Sequence, residues 1–495
     1  KVSGMGQGVL KAASGMQLGV TPEGSGPWLS VSKSGVFAAG EVNLTGGGAP
    51  DARLDIDSFA FTPDVTTLSA DAFELSRWTV GGRSLSARLG AIHLEKRTED
   101  LQFAGAGELA FAGEASGVRF ERTTIRGGLD GAWDNSGWRV QSSGTPCLSV
   151  ETAGFKLGAI EAQPATFNVC PVNGRFMRQG KIASGSADLG AVRLPFNLQS
   201  GSGVFGLEGA VIDWTAGKTF ALTARANSID LPLELGERTL TIDGAAPRID
   251  IETGSGPAKI VAQLGETGFG GTMMPANVSA GAFTFNGVSA AAGVKGAVAA
   301  TRVRITDTRA DPLYNPVAGE FSGTLNEDNR LELAGPLKLQ VRGTPLAYAT
   351  LDLDLISLDG TAQVTSQPLN FKPGGLQPDM ISARLTGLFT DARGGVSSVA
   401  DFVIRDGKVH GTADVKVSDF GFQTTRLGRV SGVNGTVYFD DLMGLTTGPA
   451  QELFIDSVNP GLPLANGRVV FDLRDEGILH LDTVTFPFGG GELAI

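Results

Sequence analysis

In 495 residues this chain carries 71 Gly, about twice the usual share of ~7%, and 19% charged residues against a typical ~25%, so it has many backbone reversals and few solvated helical faces. Its formal charge is -12, with no Lys/Arg run longer than a pair, which excludes the electrostatic grip on phosphate backbones that nucleic-acid binding requires. No run of 18 or more apolar residues occurs; the nearest, Val288 to Ala300, is interrupted by Lys295 and several Gly, so no segment reads as a membrane-spanning helix.

Length alone suggests about three domains of ordinary size. No Pro/Ser-rich linker, charge block or composition shift separates them, so residues 1–495 read as one continuous segment. The chain opens at Lys1 without a Met and closes at Ile495 just after an apparent strand, which reads as a piece cut from something longer. The first marked feature is the pair Cys147 and Cys170, flanked by Pro146 and Pro171 and about one hairpin apart. In an oxidising compartment that spacing predicts a disulfide worth ~3 kcal/mol in the chain-entropy model; the alternative is two unrelated thiols. His93, His410 and His480 are scattered and no CxxC or HExxH spacing occurs, so no metal is expected and each His reads as a strand residue.

The body of the chain has period 2. Leu231, Leu233 and Leu235 open the series, followed by Ile249 and Ile251 between Arg248, Asp250 and Glu252, and by Val303 and Ile305 between Arg302 and Arg304. Leu337, Leu339 and Val341 alternate with Lys338, Gln340 and Arg342; Leu351, Leu353 and Leu355 with Asp352 and Asp354; Ala413, Val415 and Val417 with Asp414 and Lys416. Successive side chains of a strand point to opposite faces, so each run presents one apolar and one polar face. Asp359-Gly360, Asp406-Gly407 and Asn466-Gly467 suggest hairpins, hence an antiparallel meander. After Val417 the alternation slips to Phe420 and Phe422, which predicts a bulge near Ser418-Asp419. Helices are few, Pro378 to Phe389 being the best candidate.

At ~12 residues per strand and turn the chain yields about 40 strands, on the order of 190 Å of sheet at ~4.8 Å spacing, with no helical layer to cover its apolar face. Such a sheet curls so that the face lines a groove, or winds into a solenoid; a solenoid needs a fixed repeat, and none is visible. Two sheets packed as a sandwich explain the alternation equally well. Catalysis finds no support. There is no GxSxG elbow, and Gly217-Lys218-Thr219 has Ile212 where a phosphate-binding loop needs its first Gly. Asp352 and Asp354 begin like a calcium loop that Ile356 breaks. Neither an enzyme nor a cofactor is expected.

The last 56 residues, 440–495, are the most distinctive. Asp440-Asp441-Leu442, Leu445-Thr446-Thr447 with Pro449 and Gln451, Val458-Asn459-Pro460-Gly461, Asn466-Gly467 and Phe486-Pro487-Phe488-Gly489-Gly490 together resemble the C-terminal signature of the YdbH branch of the AsmA-like bacterial envelope proteins, with Phe486 where a Trp is expected. The Phe486–Gly491 run reads as a sharp bend into a strand. The resemblance implies an all-β, taco-like repeating β-groove: a long curled antiparallel sheet that conducts phospholipid acyl chains between inner and outer membranes. It makes the groove the favoured reading over the sandwich, and the apolar residues of the alternating runs its lining. It further implies a periplasmic location in a Gram-negative bacterium, an inner-membrane anchor preceding Lys1, and a small YnbE-like outer-membrane lipoprotein that adds a strand at the C-terminal end. Two other functions are considered: a scaffold whose sheet edge templates outer-membrane barrel strands, and a β-solenoid surface adhesin.

Overall fold

The computed structural model describes residues 2–4, 6–22, 27–115, 118–157, 160–178, 182–198, 201–254, 256–272, 276–290, 293–340, 342–406, 408–475 and 478–494. These form forty strands, and among them every paired strand runs antiparallel to its partner. The fold is all-β, as the period-2 patterning predicts. The predicted helix shrinks to one turn, Pro378–Ile381, and a 3-10 turn, Ala383–Leu385, because Ser382 between them is extended at φ -140°. A single turn fixes too many dihedrals per hydrogen bond to persist without neighbours.

Two units divide the chain: residues 1–231, 246–262 and 291–293, and residues 232–245, 263–290 and 294–495. In the first, 15- to 17-residue strands such as Leu101–Ala115 and Val118–Asp134 pair along almost their whole length. Between Val118–Asp134 and Ala183–Leu198 the sheet is instead a patchwork. Gly137–Ser143, Leu148–Thr152 and Phe155–Leu157 share one long strand; Met177–Arg178, Ala165–Pro171 and Ile160–Ala162 share the other. The disulfide joins these two columns, Cys147 to Cys170, with Cα atoms 4.2 Å apart. It staples the sheet where its ladders are shortest.

The slip after Val417 is the bulge that the sequence predicts: register shifts between Val417 and Phe420, and Asp419 takes φ +45°. Arg302 (φ +52°) and Ala91 (φ +48°) occupy equivalent shifts between Ala300 and Val303 and between Gly90 and His93. Each bulge absorbs one residue, so the apolar set stays on one face through strands too long to hold one alternation.

Of the three expected hairpins, two stand and one does not. Arg405 pairs with Lys408 around Asp406 (φ +50°), while Gly407 lies outside the described residues. The second joins Pro345–Asp354 to Gly360–Ser366 through 355–359, with Gly360 opposite Leu353, and within the link the Asp354 carboxylate accepts the backbone N–H of Ser357 and of Ile356. Those bonds hold the Asp354 carboxyl below its ordinary range. Asn466-Gly467 is not a turn but lies inside Leu464–Arg474, in unbroken register with Gln451–Asn459, with Asn466 at φ +54°.

Gly467 has a steric reason to be glycine. A Cβ there would collide with the Phe486 ring, and the same holds for Gly131 under Phe103, Gly185 under Trp214 and Gly411 under Phe402. Each pair is directly cross-strand or one residue from it, so the glycine lets an aromatic ring lie against the sheet. This accounts for part of the glycine excess. We expect Gly467→Val to displace the Phe486 ring and lower stability by about 1–3 kcal/mol; an unchanged denaturation midpoint would contradict this packing role.

Candidate functional site

The strand registers of the first unit line up apolar residues in rows that cross the strands. One row passes from Gly4 through Leu29, Ala38, Phe59, Leu68, Leu94, Phe103, Gly131, Val140, Met177, Gly185, Trp214 and Leu222 to Ile251, each opposite the next. Thirteen ladder steps at ~4.8 Å make it about 62 Å long. A second row on the same face runs Leu10, Leu18, Leu44, Ala52, Leu75, Ala87, Leu109, Ile125, Val150 and Phe167. No polar side chain interrupts either row.

The opposite face carries a charge ladder. Arg53, Glu74, Arg88, Glu108 and Arg126 face one another across five strands in alternating sign. Arg126 bonds both Glu108, at 3.0 Å, and Glu151, at 2.6 Å, and its pKa is raised by the Glu151 bond first and the Glu108 bond second. Exposed pairs of this kind contribute little to stability. Their consequence is that this face stays wetted and does not accept a second sheet.

In the second unit, Val298, Gly323, Leu333, Leu351, Ala362, Phe402 and Gly411 form one row. Leu369, Val396, Val417, Gly435, Leu453, Val469 and Val484 form another on the same face of the shared strands. Most of the residues singled out by alternation fall on this face. Leu351 and Leu353 oppose Leu333 and Leu331; Leu337 and Leu339 oppose Gly319 and Val317; Val303 and Ile305 oppose Gly319 and Val317 from the other side. Ala413, Val415 and Val417 oppose Phe439, Val437 and Gly435. Ile249 and Ile251 belong to the first unit, opposite Ala224 and Leu222. Leu231, Leu233 and Leu235 share one face of Ser228–Leu235, with Leu233 buried. Leu355 sits in the turn after Pro345–Asp354, and Val341 lies outside the described residues.

These faces are not a closed core. The chain leaves 27,243 Å² accessible, against about 17,000 Å² for a globular monomer of its mass. Among the described residues no large side chain is fully buried. A sandwich of this length would enclose dozens.

Within the second unit the sheet is curved. Seven ladder steps, about 34 Å, separate Gly293–Asp307 from Gly428–Asp441. An odd number of antiparallel steps puts their C-terminal ends at opposite edges, so on a flat sheet those ends lie more than ~40 Å apart. Yet Arg309, two residues past one strand, donates from Nη2 to the carbonyl oxygen of Met443, two residues past the other, at 3.2 Å. The intervening chain and side chain reach ~27 Å at most. The sheet bends to bring them together.

The residues of 440–495 that looked most distinctive prove to be backbone keepers around a kink. The Gln451 side chain accepts the Tyr438 N–H and donates to the Gly448 carbonyl; Thr447 accepts the Leu473 N–H; Asp441 accepts the Met443 N–H; Asn459 accepts the Gly461 N–H. Val458, Leu464 and Phe486 join Val430 and Val433 in a small buried cluster. Phe486 itself is in strand Ile478–Phe488, and the bend falls at Gly489-Gly490, both at positive φ. Asp472, His480 and Asp482 form a trio that sequence spacing did not flag, because the strand pairing of Asp472 with His480 creates it. Arg474 already bonds Asp472 at 2.8 Å and, ahead of His480, holds that carboxyl low. Replacing Gln451 with Leu strands the Tyr438 N–H, and we expect a loss of about 1–3 kcal/mol in chemical denaturation; full stability in Gln451→Leu would rule out the keeper role.

A protein-family model described as YdbH-like, intermembrane phospholipid transport protein YdbH, matches residues 27–495. No curated protein and no solved structure matches.

Proposed function

The chain belongs to the YdbH-like family of intermembrane phospholipid transport proteins, and on that premise we propose that the apolar face of each unit is the surface along which lipid acyl chains travel. Phospholipid is the cargo, and the protein acts in the cell envelope between membranes. Taking two acyl chains, roughly 30 methylenes at ~0.8 kcal/mol each, into water costs about 25 kcal/mol, which makes unassisted escape from a bilayer very slow. A row of apolar side chains removes most of that cost at every step. The observation that carries the reading is the open face: cross-strand apolar rows with, among the described residues, no second sheet over them. Leu231, Leu233, Leu235, Ile249, Ile251, Val303, Ile305, Leu337, Leu339, Leu351, Leu353, Ala413, Val415 and Val417 are the proposed lining. Antiparallel pairing between sequence neighbours speaks against a solenoid shaft, whose coils stack in parallel.

A photo-crosslinking residue at Leu351 or Leu353 should capture phospholipid in cells, whereas one at Asp352 on the opposite face should not. The substitution Leu353→Arg should leave the protein folded, because a long cationic side chain beside an open face snorkels to water, while slowing transfer. A closed core would lose several kcal/mol from the same change. Folded Leu353→Arg protein moving lipid at the normal rate would sink the proposal at this strand.

The finer placement is part of the same proposal: the periplasm of a Gram-negative bacterium, an inner-membrane anchor on a segment preceding this chain, and a small YnbE-like outer-membrane lipoprotein as partner by strand addition. Support for the partner comes from the last edge. Gly491–Ala494 pairs only with Thr485–Phe488, so among the described residues Ile478–Val484 has no strand on that side, and Leu479 and Leu481 beside it are exposed. Site-specific crosslinkers from Ile478 to Val484 should trap the lipoprotein; a complex of undiminished yield after this edge is blocked by proline substitution would argue against the pairing.

A further inference from the structure

The loop 308–316 of the second unit lies on the apolar face, not beyond the end of the sheet. Asp307 ends Gly293–Asp307 on the same side as Val303 and Ile305 and is buried there, the one carboxylate of that strand on its apolar face. Its two oxygens accept the backbone N–H of Arg309, at 3.0 Å, and of Leu313, at 2.8 Å, which folds the loop back over the face. The Arg309 side chain then reaches the Met443 carbonyl oxygen from across the curve of the sheet. At the far end of the loop, Asn315 donates from its backbone N–H to the Ile381 carbonyl and from Nδ2 to those of Asp379 and Met380. A chord between two strands of a curved sheet passes over its concave side, so this tie bridges the concavity. Leu337, Leu339, Val303 and Val317, near the base of the loop, are each under 10% exposed, whereas Leu351 and Leu353, farther along, are half-buried.

We propose that the Arg309–Met443 tie is a strap across the apolar track that acyl chains pass beneath and that each headgroup must displace, making loop 308–316 the element that discriminates lipids by headgroup bulk. This rests on the apolar face being the track. Across the concavity the Arg309 side chain is held by one hydrogen bond to a backbone carbonyl, so that tie opens at modest cost, whereas the Asp307 bonds, the Asn315 bonds and the ion pair of Arg384 with Asp311 at 2.9 Å keep the rest of the loop in place. Tyr314 beside it stays a neutral phenol, its pKa pushed up to about 12 by burial and then by the Asp307 carboxylate.

The test uses the full chain with Arg309→Cys and Met443→Cys joined by dibromobimane, the native cysteines being inert in their disulfide. Transfer between liposomes of phosphatidylethanolamine should fall at least ten-fold on locking, while photo-capture of lipid at Leu351 persists. Separately, Arg309→Ala should raise the transfer of a lipid with a polyethylene-glycol-bearing headgroup relative to phosphatidylethanolamine by several-fold. Locked protein that transfers at the unlocked rate, or an Arg309→Ala ratio equal to that of the parent, would overturn the strap and leave the track standing. Absence of lipid capture at Leu351 in unlocked protein would instead overturn the track reading.

Discussion

An antiparallel sheet satisfies its backbone within itself and sorts side chains to two faces, and here one of those faces is apolar and, among the described residues, has no second sheet laid upon it. Most globular β proteins resolve that situation by stacking a second sheet. In this chain the polar face of the first unit is laced with alternating Arg and Glu, and such a face does not stack. Whether the apolar face is covered is a separate matter, and there no large side chain among the described residues is fully buried. Bulges, glycines under rings and side-chain clamps on stray backbone groups are all ways of keeping that face continuous.

Much of this was readable from the residues because period 2 is a direct record of which face a side chain occupies. Leu351 and Leu353, or Ala413, Val415 and Val417, needed no neighbour to declare their side. The bulge at Asp419 was legible for the same reason, as an alternation that broke and resumed. Rows were not legible, because they depend on register: nothing in the sequence says that Leu68 faces Leu94 or that Trp214 follows Gly185. Turn chemistry misled at Asn466-Gly467, where the pair lies inside a strand and its glycine makes room for the ring of Phe486.

The resemblance carried by 440–495 pointed to the right family through residues whose work is structural. Gln451, Thr447 and Asn459 hold backbone groups that the ladder leaves over near the kink between Gly428–Asp441 and Gln451–Asn459. Such positions tolerate few replacements, since each must supply an oxygen or an amide at one place. The residues proposed to meet lipid are the opposite. Aliphatic residues, aromatic rings and glycines fill the rows in no fixed order, because a sliding methylene chain asks for area and not for a partner.

That difference sets where transport can be slow. Along a row of apolar side chains each ~4.8 Å step exchanges one apolar contact for another and meets no polar group, so the profile is flat with respect to the headgroup. A flat profile gives no place for selection. Selection requires a step at which one lipid loses something another keeps, and a headgroup meets such a step only where protein crosses the mouth of the track. In the second unit the loop rooted on Asp307 is the place where polar atoms from two distant strands meet over the apolar face. The track sets how far lipid can go, and the crossing sets which lipid goes and how fast.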